Sequence, residues 1–317
     1  MRRRTPLPRQ LGSEFGVREA RKAGVSRGRL RASDLRIVFR GARSQRTARA
    51  VGLDETGAQY FERLRATTLD RCRDYLPVAP PDFRFAGVTA ATIYGIPLPP
   101  RLAKPGPLAV AVPVDVQRPR RKGVVGRRLA ALPERVIREG LPVLPPEQVW
   151  LSLAVVLSVD ELVVAGDFLV RRKGAATSLE RLTAEVAIAK GRRGTVRARE
   201  ALALVRAGTD SPKETELRLL IVRAGLPEPV VGHRVIDADG NFVGVPDLAY
   251  IAERVALDYD GEIHRTDERV FLDDIERRER FEDASWRYIR ASKDHLRRPG
   301  TFLERVRRNL RERAPRH

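Results

Sequence analysis

The stretch Val255–Ala256–Leu257–Asp258–Tyr259–Asp260–Gly261 limits this chain more than any other. Three apolar residues lead into two aspartates one position apart, followed shortly by His264. In an extended strand successive side chains point to opposite faces, so Ala256, Asp258 and Asp260 share one face and Val255, Leu257 and Tyr259 the other. A strand apolar on both faces is built for burial, yet this one ends in charge. Either the aspartates cap the exposed end of the strand, or they hold a cation. The preceding segment, Pro229–Tyr250, reads as a hairpin around the turn Asp237–Asn241, and places Asp247 on the face of Val245 and Ala249. Adjacent strands then bring Asp247, Asp258 and Asp260 together. Three carboxylates in one place raise each other's pKa, and a hard divalent cation such as Mg²⁺ or Mn²⁺ removes that conflict.

The elements around this strand are well signalled. Ser211 caps a helix with Pro212 in its first turn and Glu214 in capping-box position, and Leu217, Leu220, Ile221 and Ala224 form its apolar stripe. After the acid motif, Val270, Asp274, Arg277, Phe281 and Ala284 fall on one helical face. Asp274 and Arg277 are then either a buried ion pair or aimed at the acid cluster, because charge buried without a partner is costly. A strand over 286–292 and a basic helix over 300–313 close this region.

The 317 residues suffice for two or three domains, and the single cysteine, Cys72, excludes a disulfide framework and Cys-based zinc sites. No apolar run is long enough to cross a bilayer, and the arginines after Met1 lead into no signal-peptide core. A soluble, cytoplasmic protein without a membrane partner is expected. The formal charge of +20 points to a polyanion, most simply DNA. Much of it is local: residues 1–50 hold fifteen Lys/Arg against three acids.

That basic arm reads as a helix-turn-helix. Ser13 caps a helix burying Phe15 and Ala20, Gly24 stops it, and Ser26 caps a second helix carrying Arg27, Arg29 and Arg31 outward with Leu30 inward. Leu35–Arg43 would form a wing, and Ser26, Arg27, Arg29 and Arg31 would contact DNA. The motif Ala23–Arg43 resembles the winged-helix start of AbiEi-type antitoxin proteins, a likeness that implies a toxin or other protein as a further partner.

Residues 60–205 read as a mixed α/β scaffold. They include a small-residue helix ended by Gly95, a strand over 107–114, a helix after Pro145 and Pro146, a helix capped by Ser158 and Glu161, and helices near 178–190 and 195–206. Asp167, on an apolar helix, is structural on this reading, as are His233 and His295. The expected fold is an α+β multidomain chain: a winged helix-turn-helix over 1–50, the scaffold over 60–205, and a restriction-endonuclease-like α/β domain over 210–313.

The last assignment rests on a resemblance. Glu214, Asp247, the run Asp258–x–Asp260–Gly261–x–x–His264, the pair Asp274–x–x–Arg277 and Trp286 resemble the motifs of the PD-(D/E)XK nuclease superfamily, in its very-short-patch-repair-endonuclease-like branch. The likeness implies metal-assisted phosphodiester hydrolysis. Asp247 and Asp258, with Asp260, would hold Mg²⁺ or Mn²⁺; His264 would handle the water or leaving-group proton; Glu214 would support a second ion; Arg265 or Arg277 would hold phosphate. Two departures stand out. Asp258 occupies a position where glutamate is usual, and Asp260 occupies that of the superfamily lysine. The competing reading is an antitoxin-type DNA-binding regulator whose nuclease fold is inactive.

Overall fold

A computed structural model describes residues 5–47, 56–260 and 268–315, with backbone alone for 268–274. The chain is a mixed α and β protein that divides into two compact units, Met1–Leu153 and Ala154–His317. The boundary falls inside the segment read from sequence as one scaffold.

The first unit opens with β1 (Glu14–Gly16), α1 (Val17–Lys22), a 3-10 turn (Arg29–Arg31) and β2 (Ala42–Ser44). The sequence pattern here calls for a helix starting at Ser13. Instead Glu14, Phe15 and Gly16 pair antiparallel with Ser44, Arg43 and Ala42, and the helix begins only at Val17. The expected second helix is one 3-10 turn, ended by Ala32 in extended conformation. Leu11, Phe15, Ala20, Val25, Leu30 and Leu35 form a small core beneath it.

After α2 (Gly57–Tyr75), the chain lays down β3 (Arg84–Phe85), α3 (Gly87–Tyr94), α4 (Pro100–Ala103), β4 (Leu108–Pro113), β5 (Val124–Leu129), β6 (Val136–Arg138), β7 (Leu141–Val143) and α5 (Pro146–Leu153). The five strands form one mixed sheet in the order β5-β4-β3-β7-β6, with β5 at an edge. Gly95 ends α3 in the left-handed region (φ 76°), as its place after the last apolar residue predicts. Ile93, Val110, Leu141 and Trp150 are fully buried in this unit's core.

The second unit begins with α6 (Val159–Leu169), α7 (Leu179–Ile188), α8 (Thr195–Leu204) and α9 (Pro212–Arg223). Ser158 and Glu161 close a capping box at α6. Then come β8 (Val230–Val231), β9 (Val235–Ile236), β10 (Phe242–Gly244), β11 (Leu248–Tyr250), β12 (Val255–Asp260), α10 (Glu268–Asp283), β13 (Arg287–Ser292), α11 (Lys293–Arg297) and α12 (Gly300–Arg313). The expected single hairpin over 229–250 is two ladders: β9 pairs with β10 around the turn, while β8 joins β11 in a four-stranded sheet of order β13-β12-β11-β8. The β12–β13 pair is parallel, α10 making the crossover.

The alternation read in β12 is realised. Val255 and Leu257 pack with Leu217 and Ile221 of α9 and Phe302 and Val306 of α12. Ala256 and Ala249 pack on the other face with Phe281 of α10 and Tyr288 of β13. Among the described residues no helix is long and apolar enough to cross a membrane.

Candidate functional site: a carboxylate cluster at the end of the central strands

β11 and β12 run antiparallel with Leu248 opposite Leu257, so Asp247 stands across from Asp258 where the ladder ends. Two bonds tie the strand ends: the Asp247 amide donates to Asp258 Oδ1 at 2.8 Å, and the Tyr259 amide donates to Asp247 Oδ2 at 2.7 Å. Each carboxylate therefore satisfies a backbone donor at the last rung. Like charges directly opposite one another are destabilising, so this arrangement needs compensation.

Arg277 supplies part of it. Its Nε and Nη2 lie 2.9 Å from Asp258 Oδ2, and Nη2 also donates to the Val245 carbonyl at 2.8 Å. The Tyr288 hydroxyl donates to the same Oδ2 at 2.5 Å. Asp258 thus accepts from an amide, a guanidinium and a phenol, and its side chain is only 12% exposed. Burial disfavours a charged Arg277, but the Asp258 carboxylate and Tyr288 outweigh it and raise its pKa. Burial and the neighbouring Asp258 raise the Tyr288 hydroxyl.

Glu214 is the third acid. At the start of α9 it is buried, and its Oε2 accepts from the Asp210 amide at 2.7 Å, while Ser211 Oγ accepts from the Glu214 amide. Its capping function is real, and burial raises its pKa, with Asp258 adding to the effect. Among the described residues no guanidinium is bound to Asp247. Burial, then Asp258, then Glu214 push it up to about 8.

The remaining candidates separate. Asp260 pairs with Arg290 at 2.9 Å on the next strand. Two residues along the strand put it one repeat beyond Asp258, within reach of Arg290. Arg277, left open between a partner for Asp274 and a group aimed at the site, points at Asp258. His264, Arg265 and the side chain of Asp274 lie outside the described residues.

Sequence reasoning missed Tyr288. The signal was available, because alternation on β13 puts Tyr288 and Arg290 on one face, and both bind acids of β12. What it could not supply is the register, which places Ala256 beside Tyr288 and Asp258 beside Arg290.

The amino-terminal candidates fare differently. Ser26 Oγ accepts from the Arg29 amide at 3.1 Å, but the residue at the start of the 3-10 turn is Gly28, so Ser26 is not the expected helix cap. Arg29 forms two bonds to Asp34, at 3.0 and 2.8 Å, and a third to the Thr5 carbonyl at 2.7 Å. It is a brace rather than an outward phosphate contact, a correction that follows from the missing second helix. Arg27 and Arg31 are exposed.

The donor set suits a hard dication in kind. It consists of carboxylate oxygens, and Asp247 relieves the crowding by holding a proton until about pH 8. Among the described residues no group of three or more His, Cys, Asp or Glu side chains is placed so that it could hold a metal ion.

No protein-family model matches the chain. "Uncharacterized protein MT2308" and "Uncharacterized protein Rv2248", from two strains of Mycobacterium tuberculosis, are each 31% identical to it over 126 residues. That stretch covers 39% of this chain, and the chain spans 46% of the length of these relatives. The crystal structure of RV2827C protein from Mycobacterium tuberculosis aligns over 71% of this chain and 84% of that one, at 19% identity and a TM-score of 0.36.

Proposed function

We propose that this is a DNA-directed protein whose carboxy-terminal region cleaves phosphodiester bonds with the help of Mg²⁺ or Mn²⁺. The observation that carries the reading is the approach of Asp247, Asp258 and Glu214 at one end of a buried sheet, with Asp247 pushed up to about 8 by burial and then by the two other acids. Among the described residues this cluster leaves Asp247 without a guanidinium, an arrangement that sites for cations and for proton transfer share. Asp247 and Glu214, joined by Asp258, would hold the ion. When bound, it supplies a water of lowered pKa and neutralises phosphate charge. Arg277 orients Asp258, and on releasing it presents a guanidinium suited to a phosphate oxygen. Asp260 with Arg290 fixes the strand end beside it. His264 and Arg265 keep the roles the resemblance implies, water or leaving-group proton and phosphate contact.

The regulator reading, with a toxin or other protein partner and a nuclease fold that binds without cutting, is favoured by one observation. Both oxygens of Asp258 already have protein donors.

The test is incubation of the purified chain with end-labelled duplex, single-stranded, nicked and mismatched DNA, in Mg²⁺, Mn²⁺ or EDTA. Metal-dependent cutting that Asp247→Asn and Asp258→Ala each reduce by about a hundredfold or more supports the nuclease. Binding without cutting on every substrate supports the regulator.

A further inference from the structure

Three grooves on the first unit share their walls. One is lined by Arg18, Arg21 and Lys22 of α1 together with Arg40 and Arg121. The second shares Arg40 and Arg121 with it and adds Arg118, Arg120 and Lys122. The third shares Arg118 and Arg120 and continues to Arg127 and Arg128 on β5. The charged groups lining this continuous surface are ten Lys/Arg and one acid, Glu19.

Tertiary packing assembles it from segments far apart in sequence. Arg121 donates to the Arg40 carbonyl, which ties the 117–122 loop to the amino-terminal region. Gly126 brings the same loop onto β5. A Cβ there would meet Pro119 Cδ at 2.7 Å and Pro119 N at 3.0 Å, so only glycine lets the loop lie this close. Arg128 Nε reaches the Val116 carbonyl at 3.2 Å and closes the other side.

Charge on an edge strand has a simpler use, blocking edge-to-edge pairing, and that accounts for Arg127 and Arg128. It does not account for Arg118, Arg120 and Arg40 converging on the same groove from a loop and from another segment. Nor does edge protection require one sign of charge.

We propose that this groove binds the phosphate backbone of duplex DNA. A channel of arginines with so little opposing charge fits a polyanion running along it. Among the described residues lining the groove no aromatic side chain is exposed, since Tyr75 in its wall is 1% exposed. Single strands are held by stacking on aromatic platforms, so the missing platform assigns a paired duplex. The assignment shares with the proposed function the premise of a DNA partner and uses nothing of the carboxylate site.

The experiment is fluorescence anisotropy with the full chain and a labelled duplex of about 30 base pairs, in EDTA, at NaCl from about 50 to 200 mM. The variants are Arg118→Glu/Arg120→Glu, Arg127→Glu/Arg128→Glu, Gly126→Ala, and, as a control, Arg27→Glu/Arg31→Glu. Each groove pair should weaken binding about tenfold at low salt and lower the slope of log K against log salt by about two. Gly126→Ala keeps every charge but lifts the loop, and should weaken binding several-fold. Glutamine versions of both pairs, checked by circular dichroism, should show the smaller loss of neutralisation without reversal. Unchanged affinity and slope in both groove pairs overturns the proposal, as does a loss confined to Arg27→Glu/Arg31→Glu. Equal or tighter binding of single-stranded DNA, duplex RNA or anionic vesicles overturns the choice of duplex DNA. Cleavage plays no part in this readout, so loss of cutting with groove binding intact rejects only the nuclease, and cutting with no groove effect rejects only this surface.

Discussion

Asp247 and Asp258 are chemically identical residues placed opposite each other, and their surroundings separate them. Asp258 receives Arg277, Tyr288 and an amide, whereas among the described residues Asp247 receives the Tyr259 amide and no side-chain donor. The proton held by Asp247 up to about pH 8 has a thermodynamic consequence. Its folded pKa lies above the unfolded one, so the folded chain binds more protons in between. Stability is therefore full below the ordinary carboxylate range and declines as pH rises towards about 8. In EDTA, urea midpoints should fall across that window, and Asp247→Asn should flatten the decline; a parallel decline in the variant would assign it to other groups. If Asp247 holds a dication, Mg²⁺ should raise the parent's midpoint above pH 7 and leave that of the variant unchanged.

Elements are held in register by contacts of two kinds. Gly244 on β10 lets α10 come close: a Cβ there would meet the Phe281 ring at 3.1 Å, with Arg277 Nη1 at 3.7 Å. The helix that carries Arg277 thus sits where a small residue admits it. The other kind is the buried pair of Asp167 on α6 and Arg218 on α9, both 0% exposed and 2.8 Å apart. Asp167 also accepts from Thr215 and from the Arg206 amide, and Arg218 reaches Glu228 and the Leu204 carbonyl. Burial raises the pKa of Asp167 although Arg218 opposes it. Removing one partner of such a pair strands a charge in the interior. Asp167→Ala should cost about 3–5 kcal/mol in urea unfolding, and Asp167→Asn, which keeps an acceptor, less. Equal, small losses in both would mean that Arg218 finds another acceptor. Asp167 read as structural from its lone place on an apolar helix, and its partner lies 51 positions away.

For the whole molecule, a net +20 makes the folded state repel itself, most strongly at low salt. The thermal midpoint of the free protein should climb as NaCl rises from about 50 to 300 mM; a flat response would mean that local pairing already neutralises the surface. The capped helices were legible because their signals are local. Ser158 with Glu161, Ser211 with Pro212, and Gly95 each act within one turn, and the helix expected over 300–313 is α12, Gly300–Arg313. The alternation of β12 was legible for the same reason, and it placed Ala256, Asp258 and Asp260 on one face. Glu14–Gly16 was misread because its pairing partner, Ala42–Ser44, is remote, and pairing overrides the helical preference of a short segment. The second helix failed on a similar ground, since Arg29 binds Asp34 and Thr5 and the chain turns away after Arg31. The amino-acid sequence alone thus determined the charge, the capped helices and the strand that carries the acids, because each depends on neighbours a few residues apart. Only the tertiary structure decided that Arg277 and Tyr288 hold Asp258, that Asp260 belongs to Arg290, and that arginines from three segments line one groove. Those contacts depend on strand register and close approach, which residues distant in the chain settle together.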